Sequence, residues 1–195
     1  MYQADLRSEP IERITANAVV TAADTYEIDD LVLATGFDAM TGALSAIDIR
    51  GIEGERLREK WAAGPRTYLG LMTHGYPNLF IVNGPGSPSV LSNMVMSVEQ
   101  NVDWIVDCIE AVGFDADARI DPVKDAEDNW VQHVNDVAAP TLYGSAASWY
   151  MGANVPGKPR VFMPYVGGWS NYVAKVRDVA AKGYEGFSLR GPAAD

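Results

Sequence analysis

The chain has 195 residues, 48% of them hydrophobic and 10% aromatic, and its 15 basic side chains stand against 26 acidic ones for a formal net charge of −11. At roughly 100–200 residues per domain this is one domain or a large piece of one, and the apolar fraction is that of a chain that buries a core rather than a disordered one. The acidic balance excludes nucleic acid and anionic membrane as partners, because either would need a cationic face. A single cysteine, Cys108, makes no internal disulfide and no multi-thiolate metal site, which suits a reducing compartment. The N-terminal residues carry no export signal, and no apolar run is long enough to cross a bilayer, so a cytoplasmic location is expected.

In chain order, Ile14 to Thr21 alternates loosely and is expected to be a strand, with a turn at Ala22-Ala23-Asp24. Leu31-Val32-Leu33-Ala34 is a short continuous apolar run before Gly36, the pattern of a strand buried on both faces of a parallel sheet. Residues 38–66 are mixed and Gly-rich, and are expected to be irregular. Leu79-Phe80-Ile81-Val82 is a second buried-strand candidate, running into Asn83-Gly84-Pro85-Gly86-Ser87-Pro88-Ser89. Leu91, Met94, Val98, Val102, Ile105, Ile109 and Val112 then step by threes and fours, which predicts a long helix with these residues on its buried stripe, ended by Gly113.

Asp121-Pro122 has the form of an N-cap with proline at the first helical position, and Val123, Ala126, Trp130, Val134 and Val137 carry a helical period up to Pro140. Residues 141–168 are different in kind: rich in Gly, Pro and aromatic side chains, without a period. Long aperiodic segments within compact domains are uncommon and usually act as lids or binding loops. A last helix over residues 170–182, with Tyr172, Val173, Val176 and Val179 inward, leads through Gly183 to a terminal strand at 186–189.

The segment Gly84-x-Gly86-x-x-Ser89 has the grammar of a dinucleotide loop, but its third glycine is replaced, and no strand with an acidic end follows about 20 residues on. Two readings stand: a plain strand-to-helix turn, or a helix start that faces an electron-rich part of a ligand, such as a ring carbonyl. Ala34-Thr35-Gly36 sits where open α/β sheets bind ligands, past the end of a strand. His74 and His133 are the only histidines and have no metal-ligand spacing, and Ser87 lacks a nucleophile-elbow context. Cys108 is expected to be a structural thiol. The residues themselves lead to an α/β ligand-binding domain with an aromatic loop and no catalytic group.

Five strings carry more. DDLVLATGFDAMTGAL (29–44), WAAGPRTYLGL (61–71), PNLFIVNGPGSPSVLSNM (77–94), ASWYMGANVPGKPRVFM (147–163) and AAKGYEGFSL (180–189) together resemble, in order and over nearly the whole chain, the C-terminal part of class B flavoprotein monooxygenases. Within that group the resemblance is to Baeyer–Villiger monooxygenases of the phenylacetone, steroid and cyclohexanone type.

The resemblance implies an incomplete α/β fold, the C-terminal portion of a protein with two Rossmann-like domains that hold FAD and NADPH. It implies a reaction in which reduced flavin and O2 give a peroxyflavin that converts a ketone to an ester or lactone. Residues 1–36 would end the NADP-binding domain, and 37–195 would form the C-terminal part of the FAD-binding domain, with 141–168 as a mobile lid. The residues matching cofactor positions are Thr35, Gly36 and Asp38 at the crossover, Met94 at the flavin edge and Trp149 at the NADP ribose. Ser89, Val90, Leu91 and Met94 match the loop that lines the ketone pocket. The family's two glycine loops, its fingerprint motif and its active-site Asp and Arg have no counterpart here. No residue therefore receives a catalytic role, no metal is implied, and the isolated chain is expected to be inactive, its partner being the missing N-terminal half. The alternative is a non-catalytic α/β ligand-binding or assembly domain, either a remnant or half of a split flavoprotein.

Overall fold

The computed structural model describes residues 3–34, 36–114 and 117–190. The chain divides into two compact units, residues 1–36 and 37–195.

The first unit is a three-stranded antiparallel sheet of β1 (Ile11–Ile14), β2 (Ala18–Thr21) and β3 (Thr25–Glu27) in that order. The single strand expected over 14–21 is interrupted because Thr15 closes a tight turn, its N–H and hydroxyl both donating to Ala18 O at 2.9 and 3.2 Å. The second turn falls where expected. The buried Thr21 hydroxyl accepts from the N–H groups of Ala23 and Asp24 at 3.3 and 3.1 Å, the local bonding by which threonine favours turns. Leu31 to Ala34 is not the expected buried strand: it pairs with nothing among the described residues, and Val32 and Leu33 are 83% and 73% exposed. Apolar side chains fit a strand buried on both faces only where neighbouring strands exist, and this unit supplies none beside them.

The second unit holds the short helices α1 (Gly42–Ala46) and α2 (Leu57–Lys60), the long α3 (Met94–Val112), β4 (Arg119–Pro122), α4 (Lys124–Ala138), α5 (Trp169–Ala181) and β5 (Phe187–Arg190). β4 and β5 pair antiparallel, Arg119 opposite Arg190 and Pro122 opposite Phe187. Every ladder among the described residues is antiparallel, so the expected parallel strands at 31–34 and 79–82 are both absent. Residues 79–82 instead run irregularly past Leu71, whose carbonyl accepts from Ile81 N–H at 2.7 Å.

Asp121-Pro122 does not start a helix. The pair ends β4, and the Asp121 carboxylate accepts from Gly75 N–H at 3.0 and 3.1 Å, so α4 begins at Lys124, after Val123. A proline at the end of a two-stranded ladder costs no interior hydrogen bond.

The largest revision concerns α3. Its buried residues are Ser97, Asn101, Trp104, Cys108 and Val112, so of the stripe expected from hydrophobicity only Val112 is buried within the helix, with Ile105 and Ile109 half-buried. Met94, Val98 and Val102 are 39–42% exposed, and Val95 and Val106 beside them are 69% and 47% exposed. At 3.6 residues per turn the two stripes differ by about a quarter of a turn. The polar pair at the buried face has specific work: Asn101 Oδ1 accepts from Asn83 N–H at 2.9 Å, and Ser97 Oγ lies 2.7 Å from Ser92 Oγ. The loop before α3 is thereby fastened to it.

The core joins α3, α4 and α5 to the 68–72 segment through Leu69, Leu71, Met72, Trp104, Cys108, Trp130, Val134, Tyr172, Val176 and Val179. Aromatic side chains bury their rings here and use their polar tips to hold backbone. Trp104 Nε1 donates to Val176 O at 3.0 Å, Trp130 Nε1 to Gly86 O at 3.1 Å and Tyr172 Oη to Leu69 O at 2.8 Å. Glu127 on α4 is also buried. It meets Lys60 Nζ at 3.0 Å and accepts from the Thr73 hydroxyl at 3.0 Å and His74 N–H at 2.8 Å, so α4 also anchors the 60–74 segment.

Candidate functional site

The site is assembled from three stretches of the second unit: residues 38–41, the loop 83–94, and the aromatic segment 141–163. The loop is bent by residues in left-handed conformations. Asn83 has φ 52°, Gly86 φ 87° and the buried Ser89 φ 47°, and a non-glycine residue holds that region only when its surroundings over-determine it. Those surroundings are backbone on both sides. Gly84 N–H donates to Gly70 O at 3.1 Å, Gly86 N–H to Met163 O at 2.7 Å, and Tyr165 N–H to Ser87 O at 2.8 Å.

The glycines show what the loop is built for. A Cβ on Gly84 would lie 2.6 Å from Gly70 O, and one on Gly86 would lie 3.0 Å from both Thr67 Oγ1 and Trp130 Nε1. These small residues permit close approach by the protein itself, so the segment is a packing turn and not a phosphate cradle. At its end Asn93 Oδ1 accepts from the N–H groups of Val95 and Met96 at 3.0 and 3.3 Å, leaving the Met94 N–H without an acceptor among the described residues. Its side chain is 39% exposed. The positive end of α3, a helix of 19 residues, thus presents one unused donor at the surface.

The aromatic segment is ordered by its own packing. Ser148 caps a single 3-10 turn, Trp149–Met151, through Tyr150 N–H at 3.2 Å. Tyr143 meets Tyr150 edge-on at 5.6 Å and Phe162 at 5.1 Å. Met151, Phe162 and Ala138 form a small apolar cluster, and Leu91 from the loop packs onto it. Further along, Asn154 Nδ2 donates to Phe37 O at 2.9 Å, and Lys158 is ion-paired with Asp38 while donating to Thr41 Oγ1 at 2.7 Å. A cavity of about 300 Å³ is lined there by Asp38, Thr41, Trp61, Pro156, Lys158 and Met163. The third link is Ser89 Oγ, 3.4 Å from Met40 Sδ.

Asp38, Ser89, Val90, Leu91 and Met94 therefore fall in one connected region, and Trp149 lies on the turn beside Met151 in the cluster that receives Leu91. Val90 is 40% exposed and available to a ligand, whereas Leu91 is half-buried, one side packed on the Met151 and Phe162 cluster. Gly36 (φ 78°) belongs to the other unit, and Thr35 lies outside the described residues. Met40, Thr41 and Lys158 carry the links yet were invisible to sequence reasoning. The available signal was Gly157-Lys158-Pro159-Arg160, two cations within an aromatic loop that has no acidic residue.

No sequence-family profile matches the chain. Acetone monooxygenase (methyl acetate-forming) of Gordonia sp. (strain TY-5) is 42% identical over 186 residues, 94% of this chain and 35% of the relative. A Baeyer-Villiger monooxygenase of Pseudooceanicola batsensis is 37% identical over 93% of this chain and 33% of its own length. The structure of oxidized steroid monooxygenase bound to NADP superposes with a TM-score of 0.84 at 47% identity, covering 96% of this chain and 35% of that one. The chain is a homologue of part of the Baeyer–Villiger monooxygenases. Another structural neighbour of this Baeyer–Villiger homologue, OTEMO, is described as a complex with FAD and NADP and has a TM-score of 0.85 at 35% identity, over 96% of this chain and 34% of that one. The chain spans about a third of the length of the relatives it matches. The incomplete α/β character expected from the resemblance agrees with its mixed helix and short sheets. Among the described residues no helix is long and apolar enough to cross a membrane, and no group of three or more His, Cys, Asp or Glu side chains could hold a metal ion.

Proposed function

We propose that this chain supplies the ketone-pocket, flavin-edge and nucleotide-lid elements of a cytoplasmic FAD- and NADPH-dependent Baeyer–Villiger monooxygenase, which inserts one atom of O2 into a ketone to give an ester or lactone. Residues 1–36 are assigned to the end of the NADP-binding domain, with Thr35 and Gly36 at the crossover, and 37–195 to part of the FAD-binding domain. The observation that carries the reading is the meeting of residues 38–41, 89–94 and 149–158 through three independent contacts, Lys158 with Asp38, Ser89 with Met40, and Leu91 with the Met151 cluster.

The residues fit one part of the cofactor and not another. An unused Met94 N–H at a helix start suits an electron-rich ring edge, and the exposed Val90 suits an apolar substrate wall. The 84–86 turn offers the pyrophosphate no cradle, because it is filled by Gly70, Thr67 and Trp130. Bound flavin would supply the oxygen chemistry. The chain's own share is to donate the Met94 N–H to the ring edge, to wall the ketone with Val90 and Leu91, and to hold Trp149 on a segment tethered by Lys158.

The test is a chimera in which this chain replaces the matching third of the Gordonia acetone monooxygenase. A folded chimera that retains FAD and forms an ester from a ketone at the expense of NADPH is expected. A flavin-loaded chimera that consumes no ketone would sink the reading.

A further inference from the structure

We propose that the groove between α4 and α5 is a binding site, separate from the region of Asp38 and Ser89, for a planar aromatic carboxylate. The two helices do not pack against each other along this line. α4 presents Ala126, Asn129, Trp130 and His133, the i, i+3, i+4, i+7 positions of one face, and α5 presents Asn171 and Lys175, one turn apart. Between them lies a cavity of about 580 Å³, within the range of about 300–1,000 Å³ typical of small-molecule sites.

The floor is a slot of rings. Trp130 stacks on Tyr165 with centroids 5.4 Å apart and planes at 29°, and His133 lies 5.3 Å from Trp130 and 5.7 Å from Tyr165. Tyr68 closes one end, its hydroxyl committed to Glu185 O at 3.0 Å. Trp130, Tyr165 and Tyr68 are buried and form an apolar floor, the exposed His133 imidazole is the ring open to a flat ligand, and the polar groups at the rim are few and specific.

Charge selects the class of ligand. Of the five lysines in the sequence, Lys60, Lys124, Lys158 and Lys182 each pair with a carboxylate within 4 Å. Lys175 pairs with none among the described residues, although acidic side chains outnumber basic ones by 26 to 15. Its nearest candidate along the helix, Asp178, is held by Lys182 at 2.8 Å. Lys175, exposed on the rim of the aromatic slot with no carboxylate of the described residues within 4 Å, fits a carboxylate attached to a ring. Glu185 also lines the groove and disfavours a ligand carboxylate placed beside it.

Isothermal titration of the 195-residue chain with 2-naphthoate and with its uncharged analogue 2-naphthamide tests this. One saturable naphthoate site is expected, weakened about tenfold in Lys175→Met, the size of one charge-assisted contact, while 2-naphthamide is unaffected by that change. Asn129→Trp, which fills the groove from the exposed rim of α4, should abolish both. Absence of saturable naphthoate binding, binding undiminished by Asn129→Trp, or equal affinity for acid and amide would each overturn the proposal. None of these outcomes touches the monooxygenase reading, which the chimera tests separately.

Discussion

Lys158 is ion-paired with Asp38 across 120 positions of sequence. The lysine side chain is 15% exposed and the aspartate 35%, and Thr41 takes a second bond from the same ammonium at 2.7 Å. The pair is the ionic tether of a segment otherwise held by Asn154 on Phe37 O, Arg160 on Ala146 O and aromatic packing. Lys158→Met should cost about 1 kcal/mol, between the worth of exposed pairs and the larger penalty of a fully buried one. Hydrogen exchange should rise selectively over residues 152–160. Unchanged exchange there would mean that the aromatic packing holds the segment unaided.

Val90 and Leu91 are adjacent but should behave differently. Val90 is 40% exposed while Leu91 packs on Met151 and Phe162. In the chimera, Val90→Ala should shift relative kcat/KM between small and bulky ketones by on the order of 1–3 kcal/mol with little change in stability. Leu91→Ala should also lower the urea midpoint. Equal ketone preference in both variants would remove this loop from the substrate wall.

Under the proposed nucleotide contact of the half-buried Trp149, Trp149→Ala in the chimera should raise the KM for NADPH and leave the flavin content unchanged. Loss of flavin instead would assign the indole a structural task.

Glu127→Gln keeps the shape of the side chain but removes the charge that compensates Lys60, 3.0 Å away. Breaking a buried pair on one side costs about 3–5 kcal/mol, and Lys60 retains some access to water, so about 2–4 kcal/mol is expected in urea unfolding. A loss below 1 kcal/mol would show that the neutral amide satisfies the Thr73 and His74 donors equally well.

Alkaline pH should unfold the second unit. Burial pushes the Cys108 thiol and the Tyr68 and Tyr184 hydroxyls up to about 12. Groups whose folded values are raised hold the folded state at full stability below their unfolded values, about 8.5 for cysteine and about 10 for tyrosine. That stability is lost as pH climbs from there toward 12. Denaturation midpoints should therefore be flat near neutrality and fall above about pH 9, and Cys108 should resist iodoacetamide at pH 8 until urea exposes it. Rapid alkylation in the folded state would contradict its burial.

The three long helices were legible because their periodicity is local: Gly113 ends α3, and Tyr172, Val173, Val176 and Val179 on α5 are buried as their spacing implies, whereas α1 and α2, of five and four residues, are too short to show a period and lie in the stretch expected to be irregular. The strands at 31–34 and 79–82 were misread because an apolar run does not say whether a strand lies beside it: 31–34 pairs with nothing among the described residues and stays exposed, and 79–82 packs irregularly past Leu71. Asp121-Pro122 was misread because a carboxylate that caps a helix and one that receives Gly75 N–H look alike in sequence. The site was half legible. Its loop residues lie in recognisable strings, but Lys158, Thr41 and Met40 meet their partners over long separations that no spacing rule encodes.

The outward stripe of Met94, Val95, Val98, Val102 and Val106 on α3 has a consequence for handling the protein. A chain of net charge −11 is kept apart from its copies by mutual repulsion, which reaches about 10 Å at 0.1 M salt and about 3 Å at 1 M. Added salt shortens that reach and strengthens apolar contact together, so colloidal stability should fall with ionic strength. That exposed helix face makes the isolated chain a substance to be purified, stored and crystallised in dilute buffer.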